Sequence, residues 1–228
     1  VLVLAAVVAG GVFALPAFRL SAGGGGFIGG DFGGGVEGKA SGQKMTIETP
    51  YFGGGGFAFF DATYAELTLG LFGGGGTVEV MIPGLISSDN SLSLMSFNIG
   101  LLGKYPFAVN EKLSVFPLLG IEYDIVFSAK IDGDDYEGSK TGSSLDFDGG
   151  PGDFSTFWFK FGGGLDYSFT EKIYLRGEVL YGLRLANKAE KDFEDLFKDL
   201  GQLGNVDVDT DTLLGHGLTV KLGVGYKF

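Results

Sequence analysis

The last fifteen residues alternate with a period of two. Leu214, His216, Leu218, Val220, Leu222, Val224, Tyr226 and Phe228 share one parity, and Gly215, Gly217, Thr219, Lys221, Gly223, Gly225 and Lys227 share the other. One face is apolar and the other is polar or bare, and the run exceeds the roughly 9–11 residues that a tilted strand needs to cross a bilayer. The same period recurs upstream and predicts strands near 18–30, 51–60, 63–76, 92–107, 113–128, 154–169, 173–186 and 213–228. Their connections alternate in length. Residues 61–62, 108–112 and 170–172 are short, and 31–50, 77–91, 129–153 and 187–212 are long. An even number of strands with short turns at one end and long loops at the other predicts an all-β fold: an eight-stranded antiparallel up-and-down transmembrane β-barrel with short periplasmic turns and long extracellular loops.

The faces decide between a soluble and a membrane barrel. In the sixth strand Phe157, Phe159, Phe161, Leu165, Tyr167 and Phe169 oppose Trp158, Lys160, Gly162, Gly164, Asp166 and Ser168. In the fifth, Leu113, Val115, Pro117, Leu119, Ile121, Tyr123 and Ile125 oppose Ser114, Gly120, Glu122 and Asp124, and in the seventh Leu175, Val179, Tyr181, Leu183 and Leu185 oppose Tyr174, Arg176, Glu178 and Arg184. A soluble barrel would put its apolar face inside, so charges opposite a continuous apolar face favour the membrane version. Phe57 and Phe59, Tyr105 and Phe107, Tyr167 and Phe169, and Tyr226 and Phe228 lie close to short turns or to the end of the last strand, and are expected to form a periplasmic aromatic girdle.

Composition narrows the alternatives. The chain has 228 residues with 43 Gly, 22 Phe, one Trp and no Cys, so no thiol chemistry is open to it. No segment holds 18 consecutive apolar residues, which leaves a closed barrel as the way across lipid. Val1–Phe13 is too short to span and reads as the apolar part of a secretory leader; residues 1–14 are expected to be its remnant and 15–228 the barrel. A formal charge of −12 without a basic patch argues against nucleic acid. Gly23–Gly26, Gly53–Gly56 and Gly162–Gly164 precede no Lys-Ser/Thr and helix, so they are read as steric relief in a tightly curved wall, with room for a small cavity, and no cofactor is expected.

The residues assigned inward are Arg19, Lys104, Lys160, Arg176, Arg184, Lys221 and Lys227 against Glu66, Glu122, Asp124, Asp166 and Glu178. Buried charges are costly unless paired, so the expectation is a salt-bridged plug, with Trp158, Phe116, Leu118 and Leu180 as the apolar lumen members. The alternative is a narrow gated channel in which such pairs exchange partners. Residues 129–153 carry seven acids against two lysines and 187–212 eight against three, which accounts for most of the net charge. Asp132, Asp134, Asp135 and Glu137, and Asp207, Asp209 and Asp211, lack the spacing of a calcium loop, so solvated loops and no metal are expected. Phe193, Leu196, Phe197 and Leu200 at helical spacing before Gly201 predict a short amphipathic helix in the last loop.

The chain resembles the small eight-stranded outer-membrane barrels of the OmpA transmembrane domain, OmpX and OmpW types, over the whole length after residue 14. Lys221, Gly223, Tyr226 and Phe228 are similar to the assembly signal of that class, polar-x-Gly-x-x-aromatic-x-Phe. The resemblance implies a bacterial outer membrane, lipid and the assembly machinery as partners, and a monomer. Two roles follow from it: a closed barrel acting through its loops in adhesion to a host or surface ligand or in membrane integrity, or an OmpW-like conduit for small hydrophobic molecules or ions. Some small barrels of this kind are lipid-modifying deacylases with a His and a Ser two residues on. Here His216 is followed at that spacing by Leu218, so no enzyme is expected.

Overall fold

The computed structural model describes residues 18–32, 34–40, 43–82, 86–131, 134–135, 151–187, 208–213 and 215–228. The expected leader over 1–14 and the expected loop helix around Phe193–Leu200 lie outside the described residues. The strands in chain order are β1 (Ser21–Phe32), β2 (Gly35–Ala40), β3 (Gln43–Glu48), β4 (Tyr51–Asp61), β5 (Ala65–Ile82), β6 (Ile86–Lys104), β7 (Phe107–Ala108), β8 (Leu113–Ile131), β9 (Asp134–Asp135), β10 (Thr156–Ser168), β11 (Ile173–Asn187), β12 (Val208–Leu213) and β13 (His216–Lys227). Among the described residues there is no α-helix, only a 3₁₀ turn at Pro151–Phe154.

Eight of these strands form the wall in the order β1, β4, β5, β6, β8, β10, β11, β13, each antiparallel to the next. Closure is made by β13 against β1, in register from Ser21 opposite Lys227 to Phe32 opposite His216. A closed wall leaves no unpaired strand edge in lipid, where each lone backbone N–H or C=O would cost roughly several kcal/mol. Outward side chains form a continuous apolar belt: Ile28 on β1, Leu69 and Leu71 on β5, Leu119 and Ile121 on β8, Val179 on β11, and Leu222, 59% exposed, on β13. That is the exterior of an integral barrel of the outer-membrane type.

Three findings correct the sequence reading. The connection expected over 31–50 holds the β2–β3 hairpin, which rises above the wall between β12 and β5. The connection expected over 77–91 is mostly strand, because β5 and β6 pair up to Ile82 opposite Ile86. The third concerns β4. Phe57 and Phe59, placed in the lipid-facing girdle, are 7% and 3% exposed and point into the lumen, whereas Phe52 and Phe60 face out. The glycines 53–56 carry no side chains to mark parity, and the register seats Phe57 between Gly25 and Gly70, where there is space for a ring. Tyr167, Phe169, Tyr226 and Phe228 are exposed beside the short turns.

Glycine on the inner face answers a backbone demand. A Cβ on Gly55 would run into the Leu71 carbonyl oxygen and the Phe72 Cα of the neighbouring strand. The narrow wall brings adjacent strands so close that no side chain fits there.

Candidate functional site

The lumen is filled by three tiers of charged side chains, each placed by the inward parity of its strand. Nearest the short turns, Arg176 on β11 is 1% exposed and gathers three carboxylates. Its Nε and Nη2 donate to Asp166 at 2.8 and 2.7 Å, Nη2 also donates to Asp61 at 2.5 Å, and Nη1 donates to Glu66. Lys104 donates to the same Asp61. The guanidinium also stacks over Phe59 at 4.5 Å from the ring centroid, so the inward turn of that ring gives the cation an aromatic floor. Glu178 lies on the next inward position of β11, its Oε1 3.8 Å from Arg176 Nε.

The middle tier is built on Glu122, which accepts from Lys160 and lies 3.7 Å from Lys221 Nζ. Lys160 also reaches Thr219 Oγ1 at 3.3 Å. Beside it Asp124 accepts from Asn98 Nδ2 at 2.5 Å and from Trp158 Nε1 at 2.9 Å, so the lone Trp serves this tier as a donor as well as an apolar wall. Between the two tiers Leu102, Phe116, Leu118 and Leu180 form a buried apolar plate.

In the outermost tier Arg184 donates to Asp31 at 2.7 Å with both side chains buried. Its guanidinium occupies the space that a Cβ on Gly34 or Gly215 would need. A cavity of about 50 Å³ remains, lined by side chains that include Tyr51, Phe72, Asn98, Asp124, Trp158 and Thr219. At roughly 10–15 Å³ per water it has room for a few waters.

The sequence-predicted lumen residues therefore divide. Glu66, Lys104, Glu122, Asp124, Lys160, Asp166, Arg176, Glu178, Arg184 and Lys221 all project into these tiers, and Lys227 lies half-buried below them, donating to Ser168 Oγ at 2.8 Å. Arg19 is exposed at the periplasmic rim instead, because it precedes β1 and only its backbone is held, by Thr63. Asp31 and Asp61, which fall in the expected connections 31–50 and 61–62, are buried partners of Arg184 and Arg176. The missed signal was parity: Asp61 shares the inward parity of Phe57 and Phe59, and Asp31 that of Phe27. Of the motif resembling an assembly signal, Lys221 and Gly223 face in and Tyr226 and Phe228 face out, at the short-turn end of the last wall strand.

His216 lies at the outer end of β13. Its Nδ1 shares a 2.6 Å hydrogen bond with the Tyr181 hydroxyl on the outer face of the barrel. Among the described residues no group of three or more His, Cys, Asp or Glu is arranged to hold a metal ion.

No family model matches this chain, and no curated protein does. Among solved structures it is similar to the outer membrane protein OprG from Pseudomonas aeruginosa, with 15% identity over 94% of this chain and 98% of that one and a TM-score of 0.49. It is also similar to Neisserial surface protein A, with 11% identity over 89% and 97% and a TM-score of 0.39. A third is the outer membrane protease OmpT from Escherichia coli, with 8% identity over 95% and 99% and a TM-score of 0.41. At identities this low the roles of individual residues rest on the chain itself.

Proposed function

We propose that this outer-membrane β-barrel is a closed, surface-exposed monomer that acts through its acidic outer loops, in adhesion, surface interaction or membrane integrity, without catalysis and without steady conduction. The observation that carries this reading is the Arg176 bridge. One buried guanidinium ties Asp61 on β4 and Glu66 on β5, across the lumen, to Asp166 on the adjoining β10. An ion passing through would have to separate these pairs, and breaking one buried pair costs about 3–5 kcal/mol. His216, engaged with Tyr181 and followed two residues on by Leu218, supports a non-enzymatic role. Planar-bilayer recording from the purified barrel is the test: traces matching protein-free membranes are expected, and a steady open channel in the wild type would reject the plug.

One observation favours the narrow-conduit reading. Neither carboxylate oxygen of Glu178 has a hydrogen bond among the described residues, although the side chain is buried. Lys221, directly opposite it in register, leans instead toward Glu122. A spare acceptor beside two cations would let Lys221 or Arg176 change partners and open a path for ions or small hydrophobic molecules. Brief openings in the wild type that disappear in Glu178→Ala would favour the conduit over the plug.

A further inference from the structure

The lumen pairs its charges, and the periplasmic rim leaves its cations free. Arg19, Lys112, Lys172 and Lys227 surround an open basin of about 680 Å³ beneath the plug, together with Glu111 and Glu171. One cation comes from the segment before β1, two from the short connections leading into β8 and β11, and one from the end of β13. Among the described residues none of the four forms an ion pair. Lys227 Nζ donates to Ser168, and Lys172 Nζ lies 5.7 Å from the Tyr226 ring centroid. Four cationic side chains against two acidic ones leave this rim basic in a chain whose formal side-chain charge is −12.

The surroundings of the basin select among anions. Phe169 and Phe228 line its edge, and with Tyr167 and Tyr226 they are exposed on the outward face beside the short turns. Aromatic rings at that position sit at the headgroup level of a leaflet. Cations at that depth meet lipid phosphates first, and basic pockets at a membrane face are the usual receptors of anionic headgroups. We propose that the basin is a headgroup site for an anionic glycerophospholipid of the inner leaflet: the four cations hold its phosphate, and its acyl chains run up the wall past Phe169 and Phe228.

Native mass spectrometry of the detergent-purified chain, given equal amounts of phosphatidylglycerol and phosphatidylcholine, tests this. Phosphatidylglycerol should be retained in preference, and each cation removed should lower its retention about fivefold. Lys112→Gln/Lys172→Gln alters two exposed turn side chains, and the mobility of the unheated barrel on a gel reports that it still folds. Glu111→Gln/Glu171→Gln should strengthen retention. Millimolar inorganic phosphate separates a lipid site from a simple anion site, since a lipid held by headgroup and chains should stay bound. Equal retention of the two lipids, retention unchanged in the lysine variant, or full displacement by phosphate would each overturn the proposal.

Discussion

Asp61 and Arg176 meet across the lumen at 2.5 Å, although β13 and β1 separate their strands in the wall. The contact ties the tight β4–β5 turn to the seventh wall strand, β11, over 115 residues of sequence. Asp61 is a junction: Oδ2 also takes Lys104, and Oδ1 accepts the Thr63 amide at 2.8 Å. The lumen tier and a periplasmic turn thus share one carboxylate, so packing inside the barrel and closure of its base are coupled.

Arg176→Leu should destabilise the barrel by about 3–5 kcal/mol, because it leaves Asp61, Glu66 and Asp166 without their common cation. Adding Glu66→Gln should recover part of the loss by removing one uncompensated charge. Urea unfolding in phospholipid vesicles measures both. A single-variant loss below about 1 kcal/mol would mean that water already screens this tier.

Gly215→Ala should cost about 1–3 kcal/mol, since its methyl group would enter the space held by the Arg184 guanidinium. Arg184→Ala alone should also destabilise, by leaving Asp31 without this partner. The two together should cost less than their sum, because the shortened side chain makes way for the methyl. A double-mutant cycle in the same unfolding assay reads that coupling, and simple additivity would contradict the contact.

Most of this architecture was legible in the sequence because a membrane barrel writes its wall as a period of two. β8, β10, β11 and β13 each carry an apolar residue at nearly every outward position, so their bounds and faces followed directly. β4 did not, because Gly53–Gly56 interrupt the pattern and leave Phe57, Phe59 and Phe60 close together in sequence and ambiguous in parity. Misplacing Phe57 also hid Asp61, which belongs to the same face. Arg184–Asp31 and Arg176–Asp61 are pairings between strands far apart in the chain, and alternation gives the face of a residue without naming its partner across the lumen. Arg19 reads as inward only if β1 starts near residue 18, and the strand begins at Ser21.

The corrected parity of β4 can be checked by fluorescence, because Trp158 is the only Trp and lies in the lumen. Wild-type emission should be insensitive to lipids brominated on their acyl chains. In a Trp158→Phe background, Phe52→Trp should be strongly quenched and Phe57→Trp should not. Strong quenching of the Phe57→Trp probe would return that ring to the girdle.

Thr63 is the one described non-glycine residue with positive φ, at 66°. A β-branched residue is disfavoured there, so something must hold it. Its Oγ1 accepts the Arg19 amide at 2.7 Å and donates to the Arg19 carbonyl at 2.9 Å, while its own amide is held by Asp61. Thr63→Ser keeps the hydroxyl and loses the branch, so it should match or slightly exceed the wild type in stability. Thr63→Gly relieves the backbone but loses two hydrogen bonds of about 1 kcal/mol each, and should be less stable. Thr63→Ala loses the bonds and keeps the strained backbone, so it should be the least stable of the set. Unfolding midpoints in the order Ser, Gly, Ala would identify the hydroxyl as the latch on the segment before β1; Gly above Ser would show instead that backbone relief outweighs it.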